Sequence, residues 1–248
     1  MSISIKNIDE IGKMRIAGKI LKETLLLLEA SVYPGQTSSR LNDLAYEYIL
    51  NKGAKPSFLN YQGFPYTICA SVNDQIVHGF CTDIPLKEGD IISIDCGVIW
   101  EGYHADAART FAVGNISIEN ANLIKATKES FFAGIEGIKA GSKLGHISHR
   151  IQTYLEDRGY GVVRELVGHG VGSELHEDPM VPNYGKYNSG IVLQEGMTLA
   201  IEPMSTLGKR DVCLEDNDWT VSTLDGKTSA HYENTVLITK DGVEILTL

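Results

Sequence analysis

Apolar residues Ile8, Ile11, Met14, Ile20, Leu21, Leu25 and Leu28 recur at steps of three, four and seven, so residues 8–30 are predicted to form one long amphipathic helix. It closes before Pro34-Gly35. Leu41, Leu44, Ala45, Tyr48 and Ile49 predict a second helix, which Gly53 ends. The period then shortens: Tyr66 to Val72, Ile91 to Ile99 and His104 to Val113 are rich in strand-favouring residues and are separated by turn signals. Past Gly114 the helical spacing returns at 119–138 and 146–158, followed by strand-like runs at 160–167, 191–203, 219–224 and 231–239.

Two helices followed by strands therefore occur twice. An ungapped shift of 106 residues lays Lys22-Glu23-Thr24 on Lys128-Glu129-Ser130, Gly35 on Gly141, Leu41 on Ile147, Tyr48-Ile49 on Tyr154-Leu155 and Gly53 on Gly159. Two unrelated helical hairpins would give matches as sparse as these, but an internal duplication accounts for their common offset. The expectation is an α+β fold in one domain, 1–248, with pseudo-symmetric halves of roughly 1–114 and 115–248. A cleft on the approximate two-fold axis would then receive side chains from both halves.

The chemistry concentrates in the strand-like segments. Glu101-Gly102 lies between two of them, and a tight turn there brings Asp95 and Asp106 together across a hairpin with interior-looking flanks. Two such anions repel and lose hydration, so they need a positive partner, either Arg109 or a Lys in an ion pair or a divalent metal. Thr198-Leu-Ala-Ile-Glu202-Pro203 and Tyr232-Glu233-Asn234-Thr235 each set one more Glu in an apolar run. Four carboxylates converging on one cleft imply more than one cation. Carboxylate-rich ligation with a minority of imidazole suits Mn, Fe(II), Co or Zn.

Gly168-His169-Gly170-Val171-Gly172-Ser173-Glu174-Leu175-His176 supplies imidazoles, and flanking glycines let the backbone turn sharply around His169. Its GxGxG spacing does not match the dinucleotide fingerprint. His78 is a weaker candidate, and His146 and His149, without acidic companions, are expected at the surface. The sequence has no HExxH, GxSxG or Walker motif. The formal charge of −10 argues against nucleic acid or an anionic membrane as partner. Cys69, Cys81, Cys96 and Cys213 form no CxxC pair and are expected as reduced, buried or pocket-lining thiols. The apolar run Leu25–Leu28 is too short for a signal or spanning segment, which makes the cytoplasm the expected location.

The order and spacing of Asp95, Asp106, His169, Glu202 and Glu233 closely resemble the five-ligand signature of type I methionine aminopeptidases. The segments VNDQIVHG (72–79), GHGVGSELHEDP (168–179) and AIEPM (200–204) extend the likeness along essentially the whole chain, and the short spacing from His176 to Glu202 leaves no room for a type II insertion. The resemblance implies the pita-bread fold and removal of initiator methionine from nascent polypeptides whose second residue is small. It assigns Asp106 and Glu233 as bridges between two divalent ions, Asp95 to one ion, and His169 with Glu202 to the other. Such a pair activates water as a hydroxide that attacks the first peptide bond.

The same resemblance carries His176 to stabilisation of the tetrahedral intermediate, His78 to the scissile amide or leaving amine, and Glu202 to proton transfer. Phe58, Tyr61, Phe64, Cys69 and Trp219, with His78 and His176, would bind the substrate. A monomer acting on N-terminal Met near the ribosome exit is expected. Two other readings share the scaffold: a related aminopeptidase of different specificity, including cleavage before proline, and a binding module that has lost catalysis. Two positions depart from the family pattern: Asn234 stands where His is usual, and Phe80-Cys81 where Ile-Pro is usual.

Overall fold

Each half of the chain begins with a pair of helices, held in register by the same small set of interactions. The computed structural model describes residues 3–248; Met1 and Ser2, the start of the expected domain, lie outside the described residues. Helix α1 spans Ile8–Glu29 and α2 spans Ser38–Asn51. Asn7 opens α1 with a capping box: its side chain accepts from the N–H groups of Asp9 and Glu10 (3.0 and 3.1 Å), and Glu10 accepts from the Asn7 N–H at 2.8 Å. Met14, Ala17, Leu21, Leu25 and Leu28 form its buried face. In the second half, α3 spans Ile118–Ile135 and α4 Leu144–Glu156.

The offset of 106 holds in three dimensions. It carries Ser38, the first residue of α2, onto Leu144, the first of α4, and Glu29, the last of α1, onto Ile135, the last of α3. Tyr48 donates to Glu23 at 3.0 Å with the Lys52 ammonium 4.9 Å above its ring. The counterparts match: Tyr154 donates to Glu129 at 2.7 Å with the Arg158 guanidinium 3.6 Å above its ring. Gly35 (φ +96°) and Gly141 (φ +92°) make the same left-handed turn, and each donates its N–H at 2.8 Å, to Leu86 and Leu193 respectively. Leu41 and its counterpart Ile147 are both fully buried, each in its own half's main core.

The first-half sheet is built on a continuous hairpin, Ile91–Trp100 with Tyr103–Ala112, turning at Glu101 (φ +46°) and Gly102 (φ +81°). The strand Ile91–Trp100 also pairs with Ile68–Val72 and Lys55–Pro56. The second-half sheet has the order Val243–Ile245, Asn234–Ile238, Thr198–Ile201, Gly168–Gly170, Glu177–Val181. Two smaller sheets are formed among the described residues, and one of them joins the halves by pairing Val221 with Val77.

The second-half strands are shorter than the apolar runs suggest, which corrects the placement of two carboxylates. Glu202 and Glu233 do not sit inside strands. They occupy breaks, the first between Thr198–Ile201 and Met204–Thr206 and the second between Ser229–His231 and Asn234–Ile238. The two runs change sheets together: Asn234 pairs with Ile201 before the break, and Met204 with His231 after it. Pro203, which has no N–H to donate, falls in one break. The shared kink brings Glu202 and Glu233 to the same end of the sheet. Similarly, the run 160–167 contains only the short strand Gly161–Val162.

Candidate active site

The hairpin register explains how the first two carboxylates meet. Asp95 lies opposite Ala108 and Asp106 opposite Gly97, so Asp95 and Asp106 are offset by two residues on one face of the sheet. Arg109, three residues past Asp106, points elsewhere. Its guanidinium donates to the carbonyls of Ala108 (2.8 Å), Glu233 and Thr247 (3.3 Å) and to Asn234 Oδ1 at 2.7 Å. The Arg109 ion pair considered for Asp95 and Asp106 does not form; the guanidinium instead braces the break that bears Glu233.

A second set of bonds holds the halves face to face at this point. The Thr235 hydroxyl accepts from the Asp106 N–H (2.8 Å) and donates to the Asp106 carbonyl (2.9 Å). Glu233 N–H donates to the Ala108 carbonyl at 3.0 Å, and Thr110 exchanges bonds with the backbone of His231 at 2.9 Å each. Asp106 and Glu233, 3 % and 2 % exposed, are thereby set side by side across the boundary between halves.

His169 enters from the neighbouring strand, pairing with Ala200. Gly168 and Gly170 are required there, because a Cβ on either would overlap the adjacent backbone. His169 Nδ1 lies 2.8 Å from the Gly170 carbonyl, which leaves Nε2 facing the carboxylates, 3.8 Å from both Asp106 Oδ2 and Glu202 Oε1. Asp106, His169 and Glu233 each offer a donor atom, and these atoms all lie within 4.8 Å of one another. Asp95 Oδ1, Asp106 Oδ1 and Glu233 Oε1 are buried without a hydrogen-bond partner.

Electrostatics carry the same message. Burial first, then the neighbouring carboxylates, hold Asp106 and Glu233 well above the usual carboxylate range. Burial pushes Asp95 up to about 7 and Glu202 up to about 8. It lowers His169 to about 3, so its imidazole is neutral, the form that ligates metal. A group of buried acceptors lacking donors, beside a neutral imidazole, fits divalent cations of the oxygen- and nitrogen-binding kind.

All the site residues proposed from sequence line one cavity of about 360 Å³: Asp95, Asp106, His169, Glu202 and Glu233 at its floor, Phe58, Tyr61, Phe64, Cys69 and Trp219 on its walls, and His78 and His176 facing in. Phe64 meets Trp219 edge-on with ring centroids 5.2 Å apart. The Tyr61 hydroxyl lies 2.9 Å from His176 Nδ1, and the His176 ring is centred 4.2 Å from that of His169. His78 adopts a left-handed backbone (φ +57°), with its carbonyl accepting from the Thr220 hydroxyl at 3.2 Å; burial lowers its pKa to about 4. Cys69 is a buried thiol of the wall, and all four cysteines are free.

Three residues near the site escaped the sequence reading. Gln62 and Leu175 line the cavity, and buried His231 sits with Nε2 3.6 Å from Glu202 Oε2. The pairing of Met204 with His231 follows from the shared kink, which no local pattern announces. His146 and His149 lie at the surface as expected, away from the cavity: both are half-buried and pack on exposed Tyr187, with His146 stacked at 4.4 Å. The two departures from the family pattern have local roles. Asn234 anchors Arg109 and accepts from Thr247 at 2.9 Å, and Phe80 packs edge-on against Phe64 (5.7 Å) and Tyr66 (5.3 Å) behind the cavity wall.

Residues 12–240 match the profile of metallopeptidase family M24. The chain is 56 % identical over 251 residues to a methionine aminopeptidase of Clostridium acetobutylicum, with 99 % of each chain covered. It superposes on the crystal structure of methionine aminopeptidase from Rickettsia prowazekii with a TM-score of 0.98 at 43 % identity, covering 100 % of both chains. Prolidase from Pyrococcus furiosus, at 24 % identity and a TM-score of 0.81, covers 98 % of this chain with 65 % of its own and shares the fold. This is a metal-dependent peptidase of the pita-bread class, and the chain belongs to metallopeptidase family M24.

Proposed function

We propose that the chain is a single catalytic domain that removes initiator methionine from nascent polypeptides with a small second residue, using two divalent ions held by Asp95, Asp106, His169, Glu202 and Glu233. The observation that carries the ligand reading is the set of unpartnered buried carboxylate oxygens beside neutral His169. Asp106 and Glu233, locked together across the halves, are suited to bridging; Asp95 would serve one ion, and His169 with Glu202 the other. A bound pair of Mn, Fe(II), Co or Zn supplies Lewis acidity and lowers the pKa of water.

The chain's own groups do the rest. Glu202, lining the cavity beside His169, is the carboxylate placed to take up a proton and return it to the leaving amine. His176, hydrogen-bonded to Tyr61 at the cavity mouth, is placed to donate to the carbonyl oxygen as it gains charge, and His78 to contact the scissile amide. Phe58, Tyr61, Phe64, Cys69 and Trp219 offer an apolar, polarisable seat for an unbranched thioether. The substrate is a freshly made N-terminus, so we take the work to be done in the cytoplasm by a monomer near the ribosome exit. Among the described residues no helix is long and apolar enough to cross a membrane.

The test is a tripeptide panel on protein stripped with EDTA and reloaded with Mn(II) or Co(II). Met-Ala and Met-Gly peptides should be cut far faster than Met-Leu or Met-Lys, and Met should be preferred over Leu at the first position. Equal rates across the second position would favour a general aminopeptidase, and cleavage confined to X-Pro bonds a prolidase. No cleavage at any metal concentration would overturn the reading.

A further inference from the structure

The segment before α1 carries a buried charge that the proposed reaction does not use. The Lys6 side chain is 2 % exposed, and its ammonium pairs with the carboxylate of Glu177, whose side chain is 11 % exposed. Lysines ordinarily keep this group in water. Here the backbone is fixed by a bond from Lys6 N–H to the Gly196 carbonyl at 2.8 Å, and the side chain passes over Gly172. A Cβ on Gly172 would overlap both the Lys6 stem and the Glu177 carboxylate, so glycine makes the passage possible.

Glu177 is the hub of the turn that follows His169. Its Oε1 accepts from the Glu174 N–H at 3.3 Å and from the Ser173 hydroxyl at 3.5 Å. Gly172 N–H donates to the Glu174 carbonyl at 3.0 Å, and the Gly172 carbonyl accepts from the His104 N–H at 2.8 Å. The segment 172–176 is therefore wound around one carboxylate, and His176 is the residue immediately before it. Lys6 supplies the positive charge that keeps this carboxylate in its place.

We propose that Lys6 is a positioning residue for His176: by fixing the Glu177 carboxylate it fixes the turn that aims the imidazole into the cleft. The proposal rests on the role given above to His176. Lys6 lies outside the residues that line the cavity, so it acts only through that turn.

Lys6→Met keeps the length of the side chain and removes its charge, leaving the half-buried Glu177 carboxylate without its counter-charge. With Mn(II)-loaded enzyme and a Met-Ala peptide, kcat should fall about 10- to 100-fold, the scale of a small misplacement of a reacting group, while KM and metal stoichiometry stay within about twofold. Adding Glu177→Gln removes the second charge and keeps an oxygen for the Glu174 N–H, so the double variant should regain most of the lost turnover. His176→Ala should cost much less in the Lys6→Met background than in the wild type, because its contribution is already lost there.

Should Lys6→Met not fold, Glu177→Gln alone carries the test, with the same expected fall in kcat at unchanged KM. A folded variant with a lowered Tm but kcat within twofold of wild type would overturn the proposal and leave the pair a structural one. Losses from Lys6→Met and His176→Ala that multiply would overturn it too. Full turnover of His176→Ala in the wild-type background would instead remove the role of His176 itself, a distinct and separately visible failure.

Discussion

Asp106 is fixed on both sides of its peptide by a single threonine hydroxyl, with its carboxylate oxygen Oδ1 buried and unpaired. A residue held so firmly, with Oδ1 beyond the reach of any protein donor, is arranged for a cation. Asp106→Asn changes charge while nearly preserving shape, so the fold should survive while bound metal falls, and turnover with it, by more than about 100-fold on the scale of lost metal activation. Elemental analysis and peptidase assay of purified protein measure both; near-normal metal content and rate would remove Asp106 from the ligand set. His146→Ala, at a half-buried ring stacked on Tyr187 away from the cavity, is the control and should stay within about twofold of wild type, the scatter of an ordinary surface change. The proposed ligands were legible because a carboxylate in an apolar run demands an explanation. Leu175 and His231 were not: an apolar residue in a loop and a histidine at the end of a strand are unremarkable until the chain's long-range pairing is known.

Among the elements, the helices were readable to within a few residues because their periodicity and their glycine stops are local properties. The second-half strands were over-extended because hydrophobicity continues unbroken through the points where Thr198–Ile201 and Asn234–Ile238 hand over to a different sheet. A chain segment can stay buried while changing partners, and burial is all that the apolar pattern records. The duplication, by contrast, makes a quantitative claim about equivalent elements. Leu41 on α2 and Ile147 on α4 are both fully buried, so Leu41→Ala and Ile147→Ala should each cost about 2–5 kcal/mol. Urea unfolding followed by circular dichroism measures both, and a silent substitution at either position would break the equivalence of the two helix pairs.

For the whole molecule, the cleft trades stability for readiness to bind. In metal-free protein the folded-state pKa values of Asp95 and Glu202 lie at about 7 and about 8, above the usual range of about 4 for an unfolded carboxylate. At these two groups the folded state therefore holds more protons than the unfolded one between those limits, and their contribution to stability falls as pH rises through that window. Burial also lowers His78, His104 and His231 to about 4 and His169 to about 3, which acts in the opposite sense up to the ordinary histidine value of about 6.5. EDTA-treated protein should accordingly lose Tm between about pH 6.5 and pH 8, where only the carboxylates shed protons, whereas Mn(II)-loaded protein should lose much less. Thermal scans of both forms across that range check the sign. A Tm of the metal-free form that rises steadily with pH would mean that the cluster is already ionised at acid pH.

The bonds that join Thr235 to Asp106, Glu233 to Ala108 and Thr110 to His231 run between the two halves of the chain. Of the proposed ligands, Asp95 and Asp106 come from the first half and His169, Glu202 and Glu233 from the second. Neither half carries the whole set, so half a chain would need a second molecule to complete the site, at a rate that depends on concentration. Carrying both sets on one chain removes that dependence: the first half supplies the rigid hairpin with its two carboxylates, and the second the imidazole and the kink that pairs its glutamates.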